Sequence, residues 1–326
     1  MHSRLIRPRD IILAGAIVLL ALAISARYDR FVTPANLVNV YNDTAILIML
    51  ALAQTVVILT RGIDLSTAAN VALTGMIVAM LNAAAPGAPI AVIVLLALMI
   101  GAVLGAFNGV LVWKLGIPPI VVTLGTLTIY RGLIFVIAGG AWINAHQMSA
   151  GFKDFPRAEF ILPVLSWLSI LVIVIMAVLL TRTALGRAFY AAGGNPNAAV
   201  YAGIDPGRTA FIAYVIAGAL SGLCGYLWVS RYAVAYVDIA NGFELDVIAA
   251  CVIGGVSIMG GLGTVAGAVL GAIFLGVIKN ALPVIDISPF WQMAISGSAI
   301  ILAVAFNARA ERSKGRVILK RAEAQA

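Results

Sequence analysis

The sequence predicts an all-α polytopic membrane protein of about ten transmembrane helices, forming one domain over residues 1–326. Three observations carry that expectation. Hydrophobic residues make up 63% of the 326 and charged residues only 10%, whereas a soluble domain carries about 25% charged residues. The apolar residues run continuously instead of alternating, which selects helices over a barrel, because backbone polar groups in lipid must be satisfied within the segment. Each crossing takes about 20 residues, so the length accommodates roughly ten with short connections.

The spans are placed at 11–27, 44–60, 66–83, 89–113, 118–138, 161–181, 209–230, 244–259, 264–283 and 290–307. The first follows an Arg-rich opening and precedes "SAR", features it shares with a cleavable signal peptide. Retention is preferred because it gives an even helix count with both basic ends on one side. Arg4, Arg7, Arg9, Arg61, Lys114, Arg182, Arg187, Arg208 and the basic tail at 308–326 then lie inside. Arg27, Arg30, Lys153, Arg157 and Arg231 lie outside, diluted by Asp29, Asp154, Glu159, Asp238 and Glu244. Cytoplasmic loops carry the excess of Lys and Arg, so both termini are expected in the cytoplasm. The net charge of +8 is thereby topological. A nucleic-acid partner is excluded, since no soluble module could carry one.

The second and third spans are separated by "LTRGIDLS" at 59–66. In one reading Gly62 makes a tight turn, Arg61 faces the cytoplasm, and Asp64 or Ser66 caps the next helix. In the other, the break lies deeper and the Arg61–Asp64 pair lines a translocation path, because ionisable groups at depth face a cavity or each other. The fourth and ninth spans share "GAVLGA", in "GAVLGAFNGVLVWK" and "GAVLGAIFLGVIKN". Five helices per half would then have opposite orientations, a possible 5+5 inverted repeat. The simpler account is that Gly/Ala/Leu/Val segments match one another cheaply. The 32 glycines include rows at helical spacing that let helices approach closely.

Asn108 in the fourth span is a candidate for an interhelical hydrogen bond or for contact with a polar solute. Arg131 in the fifth faces the pathway, snorkels to the outer interface, or pairs with a carboxylate. Glu244 and Asp246 open the eighth span from outside, where they cap the helix, meet an external partner, or gate a path. The cytoplasmic segment 183–208 holds "GGNPNAAVYAG". There Gly193 and Gly194 break the chain, Asn195 caps, Pro196 opens a short helix, and Gly203 ends it where φ > 0 costs little. Such a helix on the inner face is either an ordered loop or a docking element. Cys224 and Cys251 lie in apolar runs and read as packing residues. His2 and His146 have no partner at metal spacing, so no metal is assigned.

Four segments in order, "ILTRGIDLS", "GAFNGVLVWKLGIPPIVVTLGTLTIYRG", "ALGRAFYAAGGNPNAAVYAGI" and "ELDVIAACVIGGVSIMGGLGTVAGAVLGA", resemble the permease subunits of bacterial ABC importers for monosaccharides. The resemblance is closest to the ribose-type branch, which includes rhamnose and autoinducer-2 permeases, and covers roughly residues 35–307. It implies an inner-membrane subunit that forms a pathway with a second permease, as a homodimer or heterodimer. Two ATPase subunits would drive it from the cytoplasm using ATP-Mg, and a periplasmic sugar-binding protein would deliver the solute.

The resemblance also implies that Gly193, Gly194, Asn195, Pro196, Asn197, Ala198, Tyr201 and Gly203 form the coupling helix that seats in the ATPase. Asp64, Asn70, Asn108, Arg131, Glu244 and Asp246 are the candidates for the pathway or its gate. The family usually reads "GIDLSVGS" where this chain has "GIDLSTAAN", which places Thr67, Ala69 and Asn70 as points of departure. Segment 139–160, external here, is nearer the rhamnose-type members. No phosphate-loop, HExxH or Ser/His/Asp pattern occurs, so neither ATP hydrolysis nor a bound cofactor is expected on this chain. The competing readings are a secondary transporter coupled to ions through Asp64 and Arg131, and a membrane enzyme acting on lipid-linked sugar.

Overall fold

The computed structural model describes residues 8–284 together with residues 291, 294, 297, 298 and 301. The basic tail at 308–326, His2, Arg4, Arg7 and most of the span expected at 290–307 lie outside the described residues. Most of the described stretch is helical. Its helices are α1 (Pro8–Ser25), α2 (Pro34–Leu59), α3 (Thr67–Ala84), α4 (Ile90–Lys114), α5 (Pro119–Ala138), the short α6 (Ala150–Asp154) and α7 (Val164–Arg182). There follow α8 (Ala184–Gly194), α9 (Pro196–Tyr201), α10 (Pro206–Tyr232), α11 (Phe243–Ile253) and α12 (Val265–Val284). Prolines open α2, α5, α9 and α10 at the first helical positions, where the missing N–H costs nothing.

Among the described residues, seven helices are long and apolar enough to cross a membrane: α2, α3, α4, α5, α7, α10 and α12. Their positions follow the predicted spans, with α2 starting ten residues before the apolar window at 44 because Pro34 nucleates it. The span expected at 244–259 is helical over only part of its length, the remainder running without helix to the loop beside the Leu59 carbonyl. Helix α11 has 11 residues, which rise only about 16 Å, too little for a hydrocarbon core of about 30 Å. Although apolar residues continue to Ile258, the backbone leaves the helix at Gly254 and turns at Gly255, φ +85°.

Helix α2 is the axis of the bundle. Every residue from Thr44 to Leu59 is buried, as expected of a helix apolar on all sides. Around it, α4, α5 and α7 expose Val103, Val136, Leu171 and similar side chains. Close crossings are made by glycine. A Cβ at Gly101 of α4 would lie 2.2 Å from the Gly218 carbonyl of α10, and one at Gly267 of α12 would lie 2.1 Å from that of Gly254. Thus the "GAVLGA" rows of α4 and α12 both serve to bring a neighbouring backbone into contact.

The opposite end of the bundle from α9 is covered by a cap of short strands and helices. Strands β1 (Ile143–Asn144) and β4 (Val234–Ala235) pair antiparallel, as do β2 (Glu159–Phe160) and β3 (Leu162–Pro163). Asn82 and Ser149 exchange two hydrogen bonds of 3.0 and 2.9 Å that hold α6 on α3.

Candidate functional site

The turn between α2 and α3 is the most heavily engaged polar segment of the chain. Asp64 is 3% exposed, and its Oδ1 accepts from the Ser66 N–H (2.9 Å) and the Ser66 hydroxyl (2.6 Å). The carboxylate therefore folds back on its own turn instead of capping α3, whose N-cap Ser66 makes no side-chain cap bond. Burial pushes the Asp64 carboxyl up to about 6, partly opposed by those hydrogen bonds. Four helices close on this turn. From α2, Gln54 in the orientation that satisfies both its ends donates to the Asp64 carbonyl (3.3 Å) and accepts from its N–H (3.0 Å). From α4, Asn108 Nδ2 donates to Ser66 Oγ (2.8 Å). From α5, Thr123 Oγ1 donates to the Ile63 carbonyl (3.1 Å). From α10, the Tyr214 hydroxyl abuts Gly62, where a Cβ would come within 2.9 Å of it. Among the described residues, Asn108 Oδ1 and the Tyr214 hydroxyl have no hydrogen-bond partner.

Gly62 is not the residue that reverses the chain. Arg61 takes the left-handed conformation, φ 68°, uncommon for a residue with a side chain. Its guanidinium reaches the end of α8, with Nε donating to the Gly193 carbonyl (2.6 Å) and Nη2 to the Gly194 carbonyl (3.2 Å). These are carbonyls of the α8 C-terminus, where a cation is favoured. Arg61 and Asp64 thus have separate partners, and sequence reasoning missed the link from Arg61 to residues 132 positions away.

Gly193 and Gly194 do not break a helix; they are the last turn of α8. Gly193 is there for proximity, since a Cβ would sit 1.7 Å from the Leu59 carbonyl. The break comes at Asn195, whose side chain accepts from the Ala198 N–H (3.1 Å) and caps α9, with Pro196 at its first position. Gly203, φ +79°, ends the segment. Ala199 packs inward, while Asn197 and Ala198 are exposed, with Val200 at 59% and Tyr201 at 93%.

The remaining candidates are dispersed. Asn70 joins α3 to α4 through the Gly101 carbonyl (3.2 Å) and accepts from Thr74 (3.0 Å). Arg131 donates to the carbonyls of Val237 and Ile239 (2.8 Å to the latter), tying α5 to the α10–α11 connection. Asp246 pairs with Lys279 of α12 at 2.5 Å. One carboxylate oxygen of Glu244, Oε2, has no hydrogen-bond partner among the described residues. Neither acidic residue caps α11 by a side-chain bond. At the same end Asp43 and Arg231 form a second ion pair, beside a cavity of about 470 Å³ walled by Trp228, Tyr232 and Phe243. Among the described residues no cluster of metal-binding side chains occurs.

A bundle of long apolar helices crossed by close glycine contacts, with a short capped helix at one end, is the fold of a polytopic membrane protein. The family of branched-chain amino acid transport system permease components matches residues 36–304, and the chain belongs to that family. It is similar to the autoinducer 2 import system permease protein LsrC of Salmonella typhi, 36% identical over 296 residues, 90% of this chain and 84% of the relative. The LsrC protein of Escherichia coli (strain K12 / DH10B) is 36% identical over 303 residues, 92% of this chain and 87% of the relative. No solved structure matches the chain. These relatives bear out the resemblance to permeases of ABC importers for monosaccharides.

Proposed function

We propose that the chain is the transmembrane permease subunit of an ATP-binding cassette importer in the inner membrane, carrying a monosaccharide-like solute of the ribose or rhamnose kind by alternating access. In this reading ten helices, arranged as two inverted halves, form the pathway with a second permease. The termini lie in the cytoplasm, partner subunits hydrolyse ATP-Mg, and a periplasmic binding protein delivers the solute. The observation that carries it is α9. A helix of 6 residues cannot persist in water by itself, yet it is held by a proline, an asparagine cap and a buried Ala199 while Val200 and Tyr201 project outward. A helix capped and anchored in this way, with its apolar side chains turned outward, suits seating in a partner, and Tyr is a favoured anchor in such contacts.

The solute is neutral and hydroxyl-rich in this reading, so Asn, Thr and Ser hydrogen bonds suffice and no buried charge has to meet it. The test is purification of a tagged chain from its native membrane, with co-purifying proteins identified by mass spectrometry. The parent is expected to retain a subunit carrying a phosphate-loop sequence, and Tyr201→Ala to retain about tenfold less of it. A parent that holds no ATPase, yet accumulates solute in proteoliposomes under an ion gradient alone, would overturn the reading.

A further inference from the structure

The loop between α11 and α12, "SIMGGLG" at 257–263, lies against the root of α9. Its own backbone is closed by hydrogen bonds from the Ser257 N–H to the Leu262 carbonyl (2.8 Å) and from the Gly260 N–H to the Ser257 carbonyl (2.9 Å). The Gly261 N–H donates to the Leu59 carbonyl at the end of α2 (3.0 Å). From α8, the Tyr190 hydroxyl donates to the Gly263 carbonyl (3.0 Å). The approach to α8 is too close for side chains: a Cβ at Gly261 would fall 2.5 Å from Gly194 Cα. Both Gly260 and Gly261 have positive φ, +83° and +70°, so glycine is needed for conformation as well as space.

From this anchored backbone two large apolar side chains project, Met259 at 68% and Leu262 at 50% exposure. A loop held by these contacts does not leave such groups in water for want of a way to fold them in. They stand on the same unit as Val200 and Tyr201, because Arg61 joins the α2–α3 turn to the two carbonyls that precede α9. We propose that residues 257–263 and α9 make one composite seat for the cytoplasmic ATPase subunit. The loop supplies a second apolar contact, and Arg61 holds the two parts in register.

This rests on the permease reading and deepens it. The choice of occupant follows from continuity, since Gly194 at the root of α9 touches Gly261, and from charge. Arg61, Arg187 and Arg208 are exposed at this end and give the apolar anchors a basic rim suited to a partner with surface carboxylates. A flexible Met beside a rigid Tyr gives one adaptable and one fixed anchor.

The test uses the full chain co-purified with its ATPase. Cys224 and Cys251 are buried, so Met259→Cys introduces the accessible thiol among the described residues. Cys at this position is expected to cross-link, through a short bifunctional maleimide, to a protein whose peptides carry the phosphate-loop sequence. Met259→Asp combined with Leu262→Asp is expected to lower retained ATPase about tenfold, while the permease elutes from size exclusion as the parent does. Undiminished retention with no cross-link overturns the composite seat. Shielding of the position-259 thiol from a water-soluble maleimide in nanodiscs without ATPase also overturns it, and assigns the loop to the bilayer surface. If the parent itself holds no ATPase, the permease reading fails first. Undiminished retention in the loop variants, with Tyr201→Ala still lowering it, overturns the composite seat and leaves that reading intact.

Discussion

Asp64 shows how one residue can be misjudged from its neighbours in sequence. Beside Arg61 it looks like half of an ion pair; in the structure its carboxylate bonds only its own turn through Ser66, and Arg61 points elsewhere. The energetic consequence is a pH dependence. The unfolded carboxyl titrates near 3.8 and the folded one at about 6. Between those values the folded state keeps a proton that the unfolded chain has released. Stability from this group is therefore fully present below about pH 4, falls as the pH rises toward 6, and is level above it. Asp64→Asn keeps an oxygen that accepts from Ser66 and removes the titration. Thermal unfolding in detergent is expected to show the parent's Tm declining from pH 4 to pH 6 more steeply than that of the variant. Parallel profiles would show that Asp64 is not the group responsible. The same experiment separates this role from ion coupling, because a coupling carboxylate would also lose ion-dependent uptake on substitution.

At the scale of elements, the glycine rows are the feature whose removal has the clearest sign. A Cβ at Gly218 would lie 2.3 Å from the Gly101 carbonyl, whereas one at Gly15 of α1 meets nothing within 4 Å. Because the first clash is with backbone, Gly218→Ala has to part α10 from α4 and is expected to cost roughly 1–3 kcal/mol. Gly15→Ala, in an open helical position, is expected to be neutral or stabilising by up to about 1 kcal/mol. Denaturation in mixed micelles measures both, and equal effects would refute the close crossing.

The long helices were legible because composition alone forces apolar runs of that length to cross a membrane. Helix α11 was not, since Val247 to Ile258 reads as one run and the chain departs from it at Gly254–Gly255, a choice made by packing against Gly267 of α12. The α9 cap was legible, as Asn195, Pro196 and Gly203 act on immediate neighbours. The brace from Arg61, the reach of Gln54 to Asp64, and the use of Gly193 for proximity depend on contacts made only after the helices assemble.

Taken as a whole, the molecule has two chemically different ends joined by α2. One end holds the α2–α3 turn, α9 and the loop at 257–263, with Arg61, Lys114, Arg182, Arg187 and Arg208 near it. The other holds the short strands, α6 and the Asp43–Arg231 and Asp246–Lys279 pairs, where acidic residues offset the basic ones. In the proposed orientation the first end, with its excess of Arg and Lys, is the cytoplasmic one. Helix α7 connects the two, and its 19 residues span about 28 Å, enough to carry the chain across the hydrocarbon core. Phe160 at the head of α7 is 73% exposed and Tyr201 beyond its foot is 93% exposed, so thiols introduced there report opposite surfaces. In intact spheroplasts, Phe160→Cys is expected to react with a membrane-impermeant maleimide and Tyr201→Cys to react only after the membrane is opened. Labelling in the reverse order would turn the molecule over, putting α9 outside, where no ATP-driven partner could reach it, and the importer assignment would fall with the orientation.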